Sequence, residues 1–168
     1  KTKEFVNPID PSDPIFWLQP KFKDLDHFIS TTGKKDPLAY LNEDPSRLLS
    51  VIIDKGNRVG VVIVSPQGIL TWTSWVPGHN YATRGIMKIL DQIVNNDYKN
   101  YKSNIGKKIL RYIEKFKELH TYIYNKNIPS IKTALKLKMK SVSYSDKFNE
   151  YRFELKYPFW WIDESKQK

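Results

Sequence analysis

Three short hydrophobic runs joined by tight turns constrain the fold of this chain more than any other feature. The runs cover residues 48–54, 59–64 and 69–76, and each is predicted to be a strand. Their connections, Asp54-Lys55-Gly56-Asn57 and Ser65-Pro66-Gln67-Gly68, are short and rich in turn-forming residues. Such connections favour an antiparallel meander.

The hydrophobic period then changes from that of a strand to that of a helix. The third strand leads into a helix that is predicted to open at Arg84-Gly85-Ile86 and to bury one stripe of apolar residues: Ile86, Ile89, Leu90, Ile93 and Val94. The polar segment 95–104 is predicted to be a loop, followed by a helix over 105–119 with Tyr112 and Phe116 on its buried face. The remaining predicted elements are a strand over 120–124, a helix over 128–139 and a closing hairpin of 142–144 with 151–155.

About 40 residues separate the third strand from strand 120–124, which is far longer than a hairpin connection. We therefore expect strand 120–124 to lie beside the third strand and parallel to it. Two short helices are predicted upstream, over 21–32 and 36–42. The chain is predicted to be α+β, with a mostly antiparallel central sheet and helices on both faces.

Length and composition favour one domain over residues 1–168. Residues 1–20 form a proline- and aromatic-rich arm, and the tail 157–168 is aromatic and charged. The tail is expected to pack back on the domain, against Phe16-Trp17, or to dock on a partner. There is no apolar run long enough for a membrane helix and no cysteine, and a cytoplasmic protein is the simplest interpretation.

The net charge of +10 is confined to one quarter of the chain. Residues 98–140 hold twelve Lys or Arg and two acids, while the remaining residues hold sixteen of each. A basic face suits a polyanion such as nucleic acid. The residues predicted to contact it are Lys108, Arg111, Lys115, Lys132 and Lys136. The alternative is a solvated surface that only keeps the protein soluble.

Two helix starts carry the motifs that bear on function. The first contains Ala82-Thr83-Arg84-Gly85-Ile86-Met87, and free amides at a helix N-terminus bind pyrophosphate well. The second begins after strand 120–124 at Asn127, with the small residue Ser130 close behind. The chain thus contains, in order, a meander, a glycine-led helix, a strand, an Asn and a second helix. This order resembles that of the acyl-coenzyme A N-acyltransferases of the GNAT superfamily. The resemblance covers roughly residues 48–155.

The resemblance implies a GNAT-like domain that binds acetyl-coenzyme A, or another acyl-coenzyme A, and transfers the acyl group to an amine acceptor. It implies that nine residues at the third strand and the two helix starts bind the cofactor: Trp75, Val76, Arg84, Gly85, Ile86, Met87, Lys88, Asn127 and Ser130. Five positions depart from the family pattern. Ala82 replaces Arg or Gln, and Met87 replaces Gly or Ala. Ala134 replaces the Tyr that protonates the leaving thiolate, and Lys138 and Met139 replace a Gly-Phe pair.

Three residues are candidates for acid–base catalysis. His79 follows Pro-Gly beyond the third strand and is a candidate base, although a loop residue is the plainer interpretation. Tyr124 and Tyr144 flank the Asn–helix unit and are candidates to replace the missing acid, although core packing is the plainer interpretation of both. No metal site is predicted, because the three histidines lack i+3 or i+4 partners.

These observations predict a divergent acyl-coenzyme A-dependent N-acyltransferase. Two alternatives stay open. One is a non-catalytic GNAT-fold scaffold or virion assembly protein that docks or self-associates through its aromatic termini, since degenerate GNAT folds occur among phage proteins. The other is a nucleic-acid-binding or nucleic-acid-modifying protein that uses the basic face of residues 98–140.

Overall fold

The computed structural model describes residues 15–16, 47–55, 57–95 and 105–162. Both predicted upstream helices, most of the predicted loop 95–104 and the Trp17 anchor lie outside this part of the chain. Three helices and seven strands follow one another in the described residues: β1 (Ile15–Phe16), β2 (Leu48–Asp54), β3 (Asn57–Val64), β4 (Leu70–Ser74), α1 (Tyr81–Val94), α2 (Ile105–Phe116), β5 (Glu118–Tyr124), α3 (Ile128–Lys136), β6 (Lys140–Ser145) and β7 (Glu150–Lys156).

Strands β1 to β4 form an antiparallel sheet in sequential order, which confirms the predicted meander. Leu48 pairs with Val64 across the first hairpin, and Val64 pairs with Leu70 across the second. Gly68 closes the second turn at φ 84°, in a backbone region that side chains other than glycine rarely adopt. The sequence therefore predicted β2, β3 and β4 and the turns between them, whereas β1 was not predicted as a strand.

A second antiparallel sheet contains β5, β7 and β6 in that order. It meets the first sheet through a single parallel bridge between Ile69 and His120, where the amide of His120 donates to the carbonyl of Gly68 at 2.8 Å. The predicted parallel neighbours are therefore confirmed, but within the described residues their pairing is confined to this one point. Beyond this bridge β4 and β5 do not pair with each other, and a split separates the two sheets.

Helix α1 covers the first sheet and buries the predicted apolar stripe, since Ile86, Ile89, Leu90 and Ile93 have no exposed surface. Gly85 permits close packing on the strands, because a Cβ there would lie 2.4 Å from Cδ1 of Ile52. The helix begins at Tyr81 rather than at Arg84. The predicted start was wrong because Asn80, in the left-handed conformation at φ 52°, begins the helix one turn earlier.

Helices α2 and α3 bury narrower apolar faces. In α2, Ile109 and Ile113 are fully buried, but Phe116 is 51% exposed, which corrects the prediction that it lies in the core. In α3, the helix ends at Lys136, and Lys138 adopts a left-handed conformation. The amide of Met139 then donates to the carbonyl of Ala134, which satisfies the last turn and ends α3 before the predicted residue 139.

The described part of the aromatic tail packs back on the domain, which is one of the two arrangements predicted for it. Phe159 and Ile162 are buried in the core, and Nε1 of Trp160 donates to the carbonyl of Leu137 at 2.9 Å. The tail therefore covers the end of α3. In the described part of the chain, every helix is too short or too polar to cross a lipid bilayer.

Candidate functional site

The described residues form a groove of about 560 Å³ where β4 ends and α1 begins. One wall is the segment after β4, including Trp75, Val76 and Pro77, and the other wall is one face of α3. The first turn of α1 lies between these walls. The groove therefore opens at the end of β4 that lies away from the Ile69–His120 bridge. The lining residues are Ser74, Trp75, Val76, Pro77, Gly78, Asn80, Tyr81, Ala82, Thr83, Ile128, Pro129, Lys132, Thr133 and Lys136.

The first turn of α1 lines the groove with Tyr81, Ala82 and Thr83. The amide of Arg84 makes the first helical hydrogen bond, to the carbonyl of Asn80, so the amides of Tyr81, Ala82 and Thr83 have no partner within the helix. No side chain caps this end, and the first turn contains no acid. The positive end of the helix dipole is thus left for an anion from outside the helix.

The hydroxyl of Tyr81 fixes this helix start to the sheet. It donates a hydrogen bond of 2.6 Å to Oδ2 of Asp54, the last residue of β2. This hydrogen bond is the main cause that raises the pKa of Tyr81, and the hydroxyl stays protonated at neutral pH. Tyr81 therefore anchors the amides of the first turn at a defined distance from the strands.

The α3 wall combines apolar and cationic groups. Ile128 and Pro129 line one end, and Lys132 and Lys136 follow on the same helical face. Nζ of Lys136 donates to Oδ1 of Asn80 at 2.6 Å and so connects α3 to the start of α1 across the groove. No Asp or Glu is among the described residues that line the groove. Its electrostatic character is therefore positive, which suits a ligand with phosphate groups.

The seven residues predicted to bind a cofactor after β4 and in α1 lie in different surroundings. Trp75 and Val76 line the groove. Gly85 and Ile86 are buried against the sheet, because the earlier helix start places them in the second turn. Arg84 is exposed and donates to the carbonyl of His79 at 3.2 Å. Met87 and Lys88 are half-buried and lie outside the groove lining.

This position of Gly85 corrects the expected effect of an acid at residue 85. From the sequence, Gly85→Asp was expected to repel pyrophosphate at the helix start. In the structure, the nearest side chains to a Cβ at Gly85 are Ile52 and Val62, and both are buried. An acid there would place an unpaired charge in the core and destabilise the fold.

Asn127 and Ser130, which were also predicted to bind the cofactor, form the cap of α3. Oδ1 of Asn127 accepts a hydrogen bond from the amide of Ser130 at 3.4 Å. Neither residue lines the groove, although their neighbours Ile128 and Pro129 do. Ala134 is fully buried on the opposite side of α3. Contact between Asn127 and a cofactor therefore stays a prediction.

The three candidate acid–base residues do not converge on the groove. His79 is exposed, with its ring centroid 5.4 Å from that of Tyr81. The hydroxyl of Tyr144 accepts from Asn125 at 3.0 Å and is 3.4 Å from Oδ1 of Asn149. Tyr124 is 47% exposed at the end of β5. None of the three lines the groove, and their catalytic roles stay predictions.

The sequence reasoning missed the actual wall of the groove. The amides of residues 81–83 carry no side-chain signature, and Lys132 and Lys136 were assigned to a nucleic-acid face. The available signal was Asn80, a residue type common at helix starts, placed directly after Gly78 and His79. Lys108, Arg111 and Lys115 are exposed on α2, outside the groove. Among the described residues, no group of His, Asp and Glu is placed to hold a metal ion.

Several of the solved structures that align with this chain are acetyltransferases. A GNAT-family acetyltransferase from Bacillus anthracis aligns with a TM-score of 0.59 at 14% identity, covering 86% of this chain and 96% of its own. RimL, a ribosomal L7/L12 α-N-protein acetyltransferase, aligns with a TM-score of 0.58 at 8% identity over 89% of this chain and 96% of its own. Campylobacter jejuni PseH in complex with acetyl-coenzyme A gives a TM-score of 0.50 at 12% identity over 82% of each chain.

No protein-family model matches the chain, and no curated protein matches it. At these identities the structural likeness establishes the fold. The chain has the α+β fold of the GNAT acetyltransferases, with two antiparallel sheets and a split between them. The resemblance that the order of motifs predicted is confirmed at this level.

Proposed function

We propose that this protein is an acyl-coenzyme A-dependent N-acyltransferase and that the groove between α1 and α3 holds the cofactor. The observation that carries the proposal is the uncapped start of α1. The first-turn residues Tyr81, Ala82 and Thr83, whose amides have no partner within the helix, line the same groove as Lys132 and Lys136, and no acid is among the described lining residues. A pyrophosphate group would accept hydrogen bonds from these amides and neutralise both lysines.

The shape of the groove supports a ligand with a long arm. The groove lies along the last residues of β4. The split between β4 and β5 begins at the same strand. Acyl-coenzyme A supplies a thioester carbonyl that an amine can attack. The segment Ser74–Trp75–Val76 would hold the arm along the strand edge, and the split would admit its acyl end. The acceptor is an amine, and its identity is open.

A charge change at Thr83 tests the phosphate site without disturbing the core. Thr83 lines the groove and is the third residue of α1. In Thr83→Asp, a carboxylate in the first turn stabilises the helix by about 0.3–1 kcal/mol but repels an anionic ligand. We expect acetyl-coenzyme A to raise the thermal midpoint of the wild type, and this increase to be much smaller in Thr83→Asp.

Thr83→Asn is the matched control, because it has nearly the same shape as Asp without the charge. Its response to acetyl-coenzyme A should resemble that of the wild type. A ligand present at about 100 times its Kd stabilises the native state by about 2.7 kcal/mol, which a thermal scan detects easily. If acetyl-coenzyme A leaves the wild-type midpoint unchanged at millimolar concentration, the proposal is wrong.

A non-catalytic protein with this fold is the second candidate. It is favoured by Ala134, which is fully buried where the family has its proton-donating Tyr. Tyr81 is the Tyr that lines the groove, and its hydroxyl is already bound to Asp54. Binding of coenzyme A without release of free thiol in the presence of primary amines would favour this candidate. Nucleic-acid binding, virion assembly and self-association stay predictions.

A further inference from the structure

A cluster of ionisable side chains lies on one face of the second sheet, outside the groove. Alternate residues of β5 and β7 point to this face, and the cross-strand pairs are Glu118 with Lys156, His120 with Glu154, and Tyr122 with Arg152. The other face bears Leu119 and Leu155, which join the core. We call the six residues Glu118, His120, Tyr122, Arg152, Glu154 and Lys156 the β5–β7 cluster.

Arg152 lies at the centre of the β5–β7 cluster. Its Nη2 is 3.6 Å from Oε1 of Glu118, and its Nε is 3.2 Å from Oε2 of Glu154. Its Nη1 donates to the hydroxyl of Tyr122 at 2.6 Å. Nζ of Lys156 is 3.4 Å from Oε1 of Glu154. Every charged group in the cluster therefore has a counter-ion, which fixes the positions of both carboxylates.

His120 is the exception in this arrangement. The residue is 8% exposed, and its Nδ1 is buried with no hydrogen-bond partner among the described residues. Oε1 of Glu118 lies 3.9 Å from Nδ1, too far for a hydrogen bond but close enough to favour a proton on that nitrogen. A buried polar atom without a partner costs stability, and this makes His120 a candidate for a functional role.

The backbone of His120 places it at the closed end of the split. His120 forms the bridge with Ile69, and five residues further along β4 lies Ser74, which lines the groove. At about 3.3 Å per residue the two positions are roughly 17 Å apart along the strand. Ala134 and Leu137 of α3 share the core with Leu119. The β5–β7 cluster therefore lies on the side of the sheet away from α3 and the groove.

We propose that His120, supported by Glu118, accepts the proton of the acceptor amine on the face of the sheet opposite the cofactor groove. This inference rests on the proposed N-acyltransferase function. With its own proton on Nδ1 toward Glu118, the neutral imidazole has a free electron pair on Nε2. A primary ammonium group on this face would transfer one proton to Nε2 and become a nucleophile.

The reaction balances with these groups. The amine nitrogen forms a bond to the acyl carbon while the carbon–sulfur bond breaks. Of the two protons that the ammonium nitrogen loses, one is on His120 and the other passes to the departing thiolate. The products are the amide, coenzyme A with a free thiol and an imidazolium, which Glu118 stabilises until the proton reaches solvent.

The surroundings of His120 keep its imidazole neutral. Burial lowers the pKa of His120, and the Arg152 guanidinium lowers it further, while Glu154 opposes them. Burial raises the pKa of Glu118, and a hydrogen bond with Glu154 adds to this effect. Burial also raises the pKa of Tyr112 on α2, so its hydroxyl is uncharged. In the strand register, Lys140 of β6 is the cross-strand neighbour of Glu154, and Lys156 is the cross-strand neighbour of Glu118.

The first experiment detects the amine directly, with n-butylammonium chloride as the probe. Histidine ring resonances of the whole chain are recorded by ¹H–¹³C NMR, and the His120 signal is identified by its loss in His120→Gln. We expect n-butylammonium to shift the His120 signal saturably and to leave the His79 signal unchanged. In Glu118→Gln the shift should disappear. The absence of any saturable shift at His120 in the wild type overturns the proposal.

The second experiment measures thiol release from acetyl-coenzyme A with n-butylamine as acceptor. His120→Gln should lower the rate about 100-fold or more, because general base catalysis contributes at least that much. The increase of the thermal midpoint by acetyl-coenzyme A should be unchanged, which shows that the variant is folded and binds the cofactor. If His79→Gln abolishes turnover and His120→Gln does not, His120 is not the proton acceptor. Failure of the wild type to bind coenzyme A would instead contradict the proposed function.

Discussion

The contact between Gly85 and Ile52 gives the sharpest test of how α1 packs on the sheet. A methyl group at residue 85 would lie 2.4 Å from Cδ1 and 2.8 Å from Cγ1 of Ile52. Ordinary contacts between carbon atoms are about 3.5–4.0 Å, so one element must move by roughly 1 Å. Ile52 is fully buried, and its Cδ1 is also 3.2 Å from the position of a Cβ at Gly60. The side chain therefore has little space in which to move.

The free energy of unfolding of Gly85→Ala follows from two opposing effects. Overpacking of a filled core costs about 1–3 kcal/mol. Replacement of Gly by Ala within a helix gains about 1 kcal/mol. We expect a net loss of about 1 kcal/mol, measured as a lower urea midpoint with an unchanged slope. The increase in the thermal midpoint with acetyl-coenzyme A should persist, because Gly85 faces the sheet and not the groove.

Ile52→Val supplies the control, because it removes the Cδ1 atom that makes the closest contact. Alone it should cost about 0.5–1.5 kcal/mol. Combined with Gly85→Ala, it should cost clearly less than the sum of the two single losses, since the new methyl group occupies the vacated space. A double variant whose loss equals that sum within about 0.5 kcal/mol would refute this account of the helix–sheet contact.

Three further predictions concern stability. Both polar side-chain atoms of Gln92 are buried without a partner, so Gln92→Met should raise the free energy of unfolding by about 1 kcal/mol or more in urea titrations. Trp160→Phe removes the hydrogen bond to the carbonyl of Leu137 and should cost about 1 kcal/mol, measured as a lower thermal midpoint. Burial lowers the pKa of His120 below 6.5, so protonation of His120 favours the unfolded chain. The stability that the neutral imidazole contributes is therefore present above about pH 6.5 and is lost as the pH falls toward the native pKa. His120→Gln should therefore lose less stability than the wild type when the pH is lowered through this range, and parallel losses in both proteins would contradict the assignment.

The sequence alone determined the elements whose signal is local. Strand β2 has the predicted bounds, and α1 buries the predicted stripe that includes Ile86 and Ile93. Both follow from hydrophobic periodicity, which depends only on neighbouring residues. The order of these elements, together with the two partial motifs at the helix starts, also carried the resemblance to the GNAT fold.

Only the tertiary structure decided which residues meet. The start of α1 depends on the backbone angles of Asn80, and the partner of Gly85 is on a strand more than thirty positions earlier. The groove is formed by backbone amides of α1 and lysines of α3, and the β5–β7 cluster depends on the register between His120 and Glu154. These relations join residues far apart in sequence. Periodicity carries no information about them, because the distance between two side chains on separate elements is fixed only when both elements pack on a common core.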